Sequence, residues 1–295
     1  MTAPALGEDL GPRGRRTVLL VTVASVLVLA AAVWVAVQRF ASHDQLEAER
    51  WTWLWEVEGA PRFLLGGLWN TVRVAAVAMV LSVALGAALA LTRLSLTRPL
   101  RLTSGTWTEV FRAVPLLLLI YFIDRLLGRY GVRIDIFWVL VIGLVLYNGA
   151  VLGEIFRAGI LSLPRGQTEA AWSVGLTYWQ SMRLVILPQA VRRMIPALVS
   201  QLVTLLKDTS LGFVLSYEEL LRRGQLAAEQ TGFSLQAYLY IALAYVAVNV
   251  SLSRLARTLE TRQRRRYRAA PVQPVGVEDL AIAPEPATTG SSARP

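Results

Sequence analysis

The chain has 295 residues, 55% of them hydrophobic and only 17% charged, and its mean hydropathy is +0.48. That balance excludes an ordinary soluble core and predicts repeated membrane crossings. Cysteine is absent and His43 is the only histidine, which excludes disulfides, thiolate metal sites and a multi-histidine metal site within one chain. The net charge of +10 rests on 29 arginines and one lysine. These cations lie between apolar segments, which favours membrane topology over nucleic-acid binding.

Residues 1–16 read as a polar tail with Arg13, Arg15 and Arg16 just before the first apolar run. Residues 17–37, from Thr17 to Val37, carry no charge and are long enough to cross the hydrocarbon core. The run exceeds a normal signal-peptide core, and Gln38-Arg39-Phe40 follows instead of a small-residue cleavage site, so it reads as a retained transmembrane anchor. Residues 38–65 form a polar extracytoplasmic loop in which Trp51, Trp53 and Trp55 recur every second residue. The pattern fits an interfacial aromatic belt, with a partner-binding strand as the alternative. The second span is Leu68 to Thr92, and Arg93, Arg98 and Arg101 mark the basic loop after it.

The third span, near Thr106 to Ile123, is the least regular, carrying Glu109, Arg112 and Pro115. A proline inside a membrane helix frees a carbonyl that the bundle must satisfy, so a kink is expected, either lining a pathway or serving packing. The fourth span runs from Ile134 to Phe156 and contains Asn148. The fifth, Met194 to Tyr217, holds Pro196, Gln201, Lys207 and Asp208; the sixth is Leu235 to Ser253, with residues 218–234 as the loop between them. Residues 261–295 read as a basic run, Arg264-Arg265-Arg266, followed by a disordered tail. The basic run suits a cytoplasmic anchor on anionic membrane lipid.

The resulting expectation is an all-α polytopic membrane protein with about six transmembrane helices. With the N-terminus inside, the inner segments hold 18 arginines and the outer loops 8. That bias places both termini and the 157–193 segment in the cytoplasm.

Residues 157–188, reading RAGILSLPRGQTEAAWSVGLTYWQSMRLVILP, cannot span a bilayer, because Arg157, Arg165, Glu169 and Arg183 interrupt them. They predict two short helices with a joint. Glu169-Ala170-Ala171 are helix formers, two of them small enough for close approach by another surface. Gly175 is placed to end the first helix in the left-handed conformation. Thr177 with Gln180 makes a capping box for the second, and Pro188 marks a bend back to the membrane. A helix–glycine–helix elbow between spans suggests a dock for a soluble partner.

Glu169-Ala170-Ala171, Gly175, Val185 and Leu187-Pro188 together resemble the EAA loop of ABC importer permeases, with Val185 where isoleucine is usual. Tyr147, Glu154-Ile155-Phe156-Arg157, Gly159-Ile160, Gly166-Gln167 and Lys207-Asp208-Thr209-Ser210-Leu211 resemble the polar amino-acid branch of that family. The added first span and Tyr147-Asn148-Gly149-Ala150 look most like its glutamate permeases. Arg112-Ala113-Val114-Pro115-Leu116-Leu117 resembles the family's Arg-Gly-Thr-Pro-Leu-Leu run but departs at its two central residues. The resemblance covers roughly residues 66–260, the expected permease domain, with residues 157–188 as its cytoplasmic EAA loop.

The resemblance implies an ATP-driven importer of a polar amino acid, glutamate first, in a bacterial cytoplasmic membrane. It implies as partners ABC ATPase subunits, a second permease, identical or a paralogue, and an extracytoplasmic solute-binding protein. It also assigns ATPase coupling to Glu169, Ala170, Ala171, Gly175, Arg157, Gly166, Leu187 and Pro188. Lys207, Asp208, Thr209, Asn148 and Arg112 are then pathway or gate candidates. Charges inside a span face the bundle interior or water, so Lys207 and Asp208 either meet an amino acid's charged ends or brace and gate the helices.

The chain carries no G-x-x-x-x-G-K-[ST] phosphate loop, nucleophile elbow or HExxH helix. It is therefore expected to hold no cofactor and catalyse no covalent step, with ATP bound by a partner subunit. The rival readings are an ATP-independent secondary carrier or channel, a non-transporting receptor or scaffold, and, least supported, a membrane enzyme.

Overall fold

The structure, a computed structural model, describes residues 11–268. The outer parts of the expected tails, residues 1–10 and 269–295, lie outside the described residues. The described chain is helical from end to end. Helix α1 (Pro12–Ser42) precedes a short α2 (Glu49–Glu56) and the long α3 (Ala60–Arg93). Then come α4 (Arg98–Ala113), α5 (Leu116–Arg129) and α6 (Ile136–Leu161). The elbow follows as α7 (Arg165–Ser173) and α8 (Tyr178–Ser181), leading through a π-helical turn, Met182–Ile186, into α9 (Leu187–Asp208). A 3-10 turn (Thr209–Leu215), α10 (Leu220–Thr231) and α11 (Ser234–Arg268) complete the chain.

Five described segments are long and apolar enough to cross a membrane: α1, α3, α6, the continuous stretch Tyr178–Leu215, and α11 from Ser234 to Leu255. The expected third span is instead two helices, α4 and α5, broken at Val114-Pro115. Pro115 has no N–H for an intrahelical bond, and both residues are extended, with ψ of 127° and 126°. The sequence predicted a kink there; the chain makes a full break.

The bundle centres on α3 against α6, and small residues explain the close approach. A Cβ on Gly86 would sit 2.8 Å from the Leu152 Cβ and 3.0 Å from the Gly153 nitrogen. Gly149 and Gly153 on α6 thus face Gly86 and neighbours on α3, the small-xxx-small arrangement that replaces hydrophobic drive inside lipid. Around this seam Val74, Ala78, Ile120, Leu140, Leu144 and Leu205 form the main apolar core.

Two expected loops are helices. Residues 218–234 fold largely into α10, capped by Glu219 and packed on α3 and α11. Its apolar face is mostly small, with Gly224, Ala227 and Ala228 buried, and a side chain on Gly224 would collide with Ile241. The Trp51–Trp55 repeat is neither strand nor plain belt: it lies on α2, which buries Trp53 against Ala227, Ala228 and Ala237 and leaves Trp55 exposed. Gln236 donates to the Gln45 carbonyl and Tyr240 to the Trp51 carbonyl, fixing α2 to α11. Helix α1 beyond this anchor buries none of its residues.

Candidate functional site

The elbow is built from local chemistry that the sequence predicts. Helix α7 ends in a Schellman motif: the Gly175 N–H donates to the Trp172 carbonyl at 2.9 Å and the Leu176 N–H to the Ala171 carbonyl at 3.1 Å. The motif needs a left-handed residue after the cap, and Gly175 has φ of +81°. Thr177 then caps α8 reciprocally with Gln180, the Thr177 N–H donating to Gln180 Oε1 at 2.9 Å. After α8 the structure departs from expectation. The chain does not leave helical structure at Pro188; it widens into a π-helical turn and continues as α9. The Leu187 N–H reaches back to the Met182 carbonyl, and Pro188, lacking an N–H, enters the first turn of α9. The second elbow helix and the span behind it are therefore one continuous lever.

The lever is clamped to α6 and α7. Ile160, Leu163, Ile186, Ala190 and Met194 form a small core beneath the elbow, with Val185 against it. Arg193 donates to the Ser162 carbonyl at 2.7 Å, and Gln189 donates to Gln167 Oε1 at 3.0 Å. Arg157 lies one step behind, donating through Nε to both Glu154 oxygens at 3.2 and 3.1 Å. Glu154 Oε1 also accepts from Arg93, so one carboxylate joins α3 to α6 between two guanidinium groups. Glu154 is a structural node that the elbow reading had not assigned a role.

What remains free is the outer face. Glu169, Ala170 and Gly166 are exposed, whereas Ala171 is buried. No hydrogen bond or ion pair within the described residues uses the Glu169 carboxylate. A Cβ on Gly166 would meet nothing within 4 Å, so this chain's own packing does not require glycine there. Trp172, Val174 and Trp179 add exposed apolar surface around the joint. The outer face of α7 thus presents a carboxylate, small residues and apolar side chains with no occupant among the described residues.

The five pathway candidates separate. Asn148 is fully buried; its amide donates to the Leu144 carbonyl at 3.0 Å and its oxygen accepts from Gln201 at 2.6 Å. Thr209 is also fully buried and donates to the Leu206 carbonyl at 2.7 Å. Both sit inside the packing between helices. Lys207 is exposed and Asp208 half-buried beside Asn148, and no ion pair joins the two. Lys207 continues an exposed polar stripe, Thr204 and Ser200 being one and two turns earlier on the same face of α9. Arg112 is exposed at the end of α4, beside the break, with no hydrogen bond or ion pair to Lys207 or Asp208. The stripe was readable from its helical spacing, but the direction of that face required the fold.

A second buried polar node lies at the end of the bundle opposite the elbow. Glu219 caps α10 by accepting from the Leu221 and Arg222 N–H groups at 2.9 and 2.7 Å, and takes a 2.7 Å hydrogen bond from the Tyr245 hydroxyl. Burial pushes its carboxyl above the ordinary range, with those hydrogen bonds opposing the shift. Thr71 completes the node by accepting from the Leu220 N–H at 3.1 Å. Sequence reading missed it because its members are far apart in the chain.

These features have close counterparts. Residues 69–265 match the family described as binding-protein-dependent transport system inner membrane component. The chain belongs to that family. It is 39% identical over 232 residues to the glutamate transport system permease protein GluD of Corynebacterium glutamicum, covering 78% of this chain and 85% of that protein. It is 38% identical over 204 residues to the probable glutamine ABC transporter permease protein GlnP of Bacillus subtilis, covering 68% and 94%. A crystal structure of an amino acid ABC transporter with histidines superposes with a TM-score of 0.67 at 32% identity, covering 71% of this chain and 97% of that one. The chain is thus a membrane-spanning permease of the amino-acid ABC type, a transport component rather than an enzyme.

Proposed function

We propose that this permease imports a polar amino acid, glutamate first, across a bacterial cytoplasmic membrane, driven by ATP hydrolysis in partner ATPase subunits that grip the elbow. The observation that carries the reading is the continuity from α8 through the π-helical turn into α9. A push on α7 and α8 reaches Lys207, about 40 Å along that lever, without leaving helical structure after α8. The outer face of α7, with Glu169 and Gly166 unoccupied, is the dock; Glu169 anchors it by a charge-assisted hydrogen bond. Rigid tilting of α9 against α6 then moves the Ser200–Thr204–Lys207 stripe between the two sides of the membrane.

The stripe is exposed on the surface of one chain, and a lysine facing lipid at that depth is costly. It is satisfied by a water-filled path shared with a second permease subunit. Lys207 there receives the carboxylate of the solute, while Asn148 and Gln201 brace α6 against α9. An extracytoplasmic solute-binding protein delivers the solute at the α2–α10 end. Glutamate is preferred because a glutamate transport permease is 39% identical to this chain over 232 residues.

Reconstitution tests the reading. The chain, its co-purifying ATPase and the solute-binding protein are placed in liposomes with labelled glutamate, glutamine and arginine. ATP-dependent glutamate uptake with the smallest KM supports it. Uptake that persists without ATP, or a clear preference for arginine, refutes it.

A further inference from the structure

Beneath the first elbow helix lies a cavity of about 350 Å³ that the coupling role does not use. Its floor is apolar, made by Ile160 at the end of α6, Leu163 just after it and Ile186 in the π-helical turn. Its rim carries Arg165, Trp172 and Tyr178. Ser181 also lines it, and its hydroxyl is buried with no hydrogen-bond partner among the described residues. A buried hydroxyl in an apolar cavity costs free energy until an acceptor reaches it.

The position in the membrane narrows the occupant. Helix α6 has 26 residues and is about 39 Å long, more than the roughly 30 Å hydrocarbon core, so its elbow end lies among the lipid headgroups. Tryptophan and tyrosine are the residues that face this layer. Arg165, Thr168 and Trp172 line the cavity from one face of α7, turned away from Gly166 and Ala170, with Glu169 at its edge one turn after Arg165. The cavity therefore faces the membrane side of the elbow. It offers an apolar floor, one cation at the mouth and one hydroxyl lacking an acceptor.

We propose that this cavity binds an anionic phospholipid of the cytoplasmic leaflet, its phosphate on Arg165, an ester oxygen accepting from Ser181 and the start of an acyl chain on the floor. Basic pockets between span ends on the cytoplasmic side are suited to such headgroups. A bound lipid fills the space between α7 and the span ends, so it stiffens the elbow against the load it transmits. The inference rests on the cytoplasmic orientation of the elbow and not on the solute, so a failure of glutamate uptake would leave the lipid result unchanged.

The test uses the full-length chain with its co-purifying partners in nanodiscs of phosphatidylglycerol and phosphatidylcholine. A photoreactive residue replaces Leu161, which lines the cavity and is exposed. Mass spectrometry then identifies the adduct. The expected product is phosphatidylglycerol, enriched over its share of the bilayer and not displaced by inorganic phosphate or oleate. Arg165→Gln should lower its yield about fivefold, and Arg165→Lys should restore it. Ser181→Val should lower it as well, in protein that remains monodisperse. Adducts that follow bilayer composition whatever stands at position 165 would overturn the proposal. So would an adduct to an ATPase peptide, displacement by phosphate or oleate, or no lipid adduct.

Discussion

Gly175→Val isolates the joint of the elbow. A Cβ at Gly175 would meet nothing within 4 Å, so the substitution introduces no clash. Its cost is conformational: φ of +81° is strained for a residue with a Cβ, at about 1–2 kcal/mol, and a β-branched side chain sits at the upper end. That strain acts on two hydrogen bonds, Gly175 N–H to Trp172 and Leu176 N–H to Ala171. A shift of 1–2 kcal/mol lowers the population of the closed joint relative to frayed forms by a factor of about 5–30. The spans do not depend on it, so membrane insertion and thermal stability should stay near wild type. In proteoliposomes ATP hydrolysis should continue while uptake per ATP falls. Gly175→Asn, which tolerates the left-handed conformation, should keep most of the coupling. Wild-type coupling in Gly175→Val, or Asn performing as badly as Val, would refute the argument.

Other expectations follow from particular contacts. Gly86→Val should lower stability by about 1–3 kcal/mol in detergent melts, since the backbone of Gly153 lies 3.0 Å from the new Cβ. Gly166→Leu, facing open space, should melt as wild type but lose ATPase binding. Lys207→Gln should raise the KM for glutamate about tenfold or more with insertion unchanged, as loss of a charge-assisted hydrogen bond requires; an unaltered KM would remove Lys207 from the path. Glu219 has a raised carboxyl pKa, so the folded state holds its proton more tightly than the unfolded one. Its contribution to stability is complete below the ordinary carboxylate range and declines as pH rises from there towards the raised value. Melting temperatures measured across that window should show the decline in wild type and a flatter profile in Glu219→Gln.

Much of this was legible from local chemistry. The long apolar runs located four spans and the anchor because length and hydropathy suffice for a bilayer crossing. Gly175 and Thr177–Gln180 declared the elbow because capping involves neighbours in sequence. What escaped was decided at a distance. Helix α10 looked like a loop because its buried face is Gly224, Ala227 and Ala228, small residues whose value appears only against Ile241 and α3. The Trp51–Trp55 repeat suggested period two, yet Gln236 and Tyr240, some 190 residues away in sequence, hold it as helix α2. Pro115 announced an irregularity, but its own geometry could not separate a kink from a break. Pro188 suggested a bend back to the membrane, whereas the chain there runs on from a π-helical turn into α9 without leaving helical structure.

At the site, the left-handed joint at Gly175 was readable from the sequence, and Lys207 stood out there as a charge within an apolar segment. The difference between Lys207 on an exposed face and Asn148 and Thr209 inside the packing was not, because it depends on which side of α9 meets α6. Glu154 also needed the fold, since its second partner, Arg93, comes from another helix.

The central claim is that α7 is the point where ATP hydrolysis is handed to the membrane helices. Gentle-detergent purification of the tagged chain from its native membrane, wild type beside Glu169→Arg at equal expression, tests it most directly. The account predicts an ATPase with wild type and its loss with the mutant, in protein that is otherwise monodisperse. Equal ATPase recovery from both, or none from wild type in any of several detergents, would contradict it.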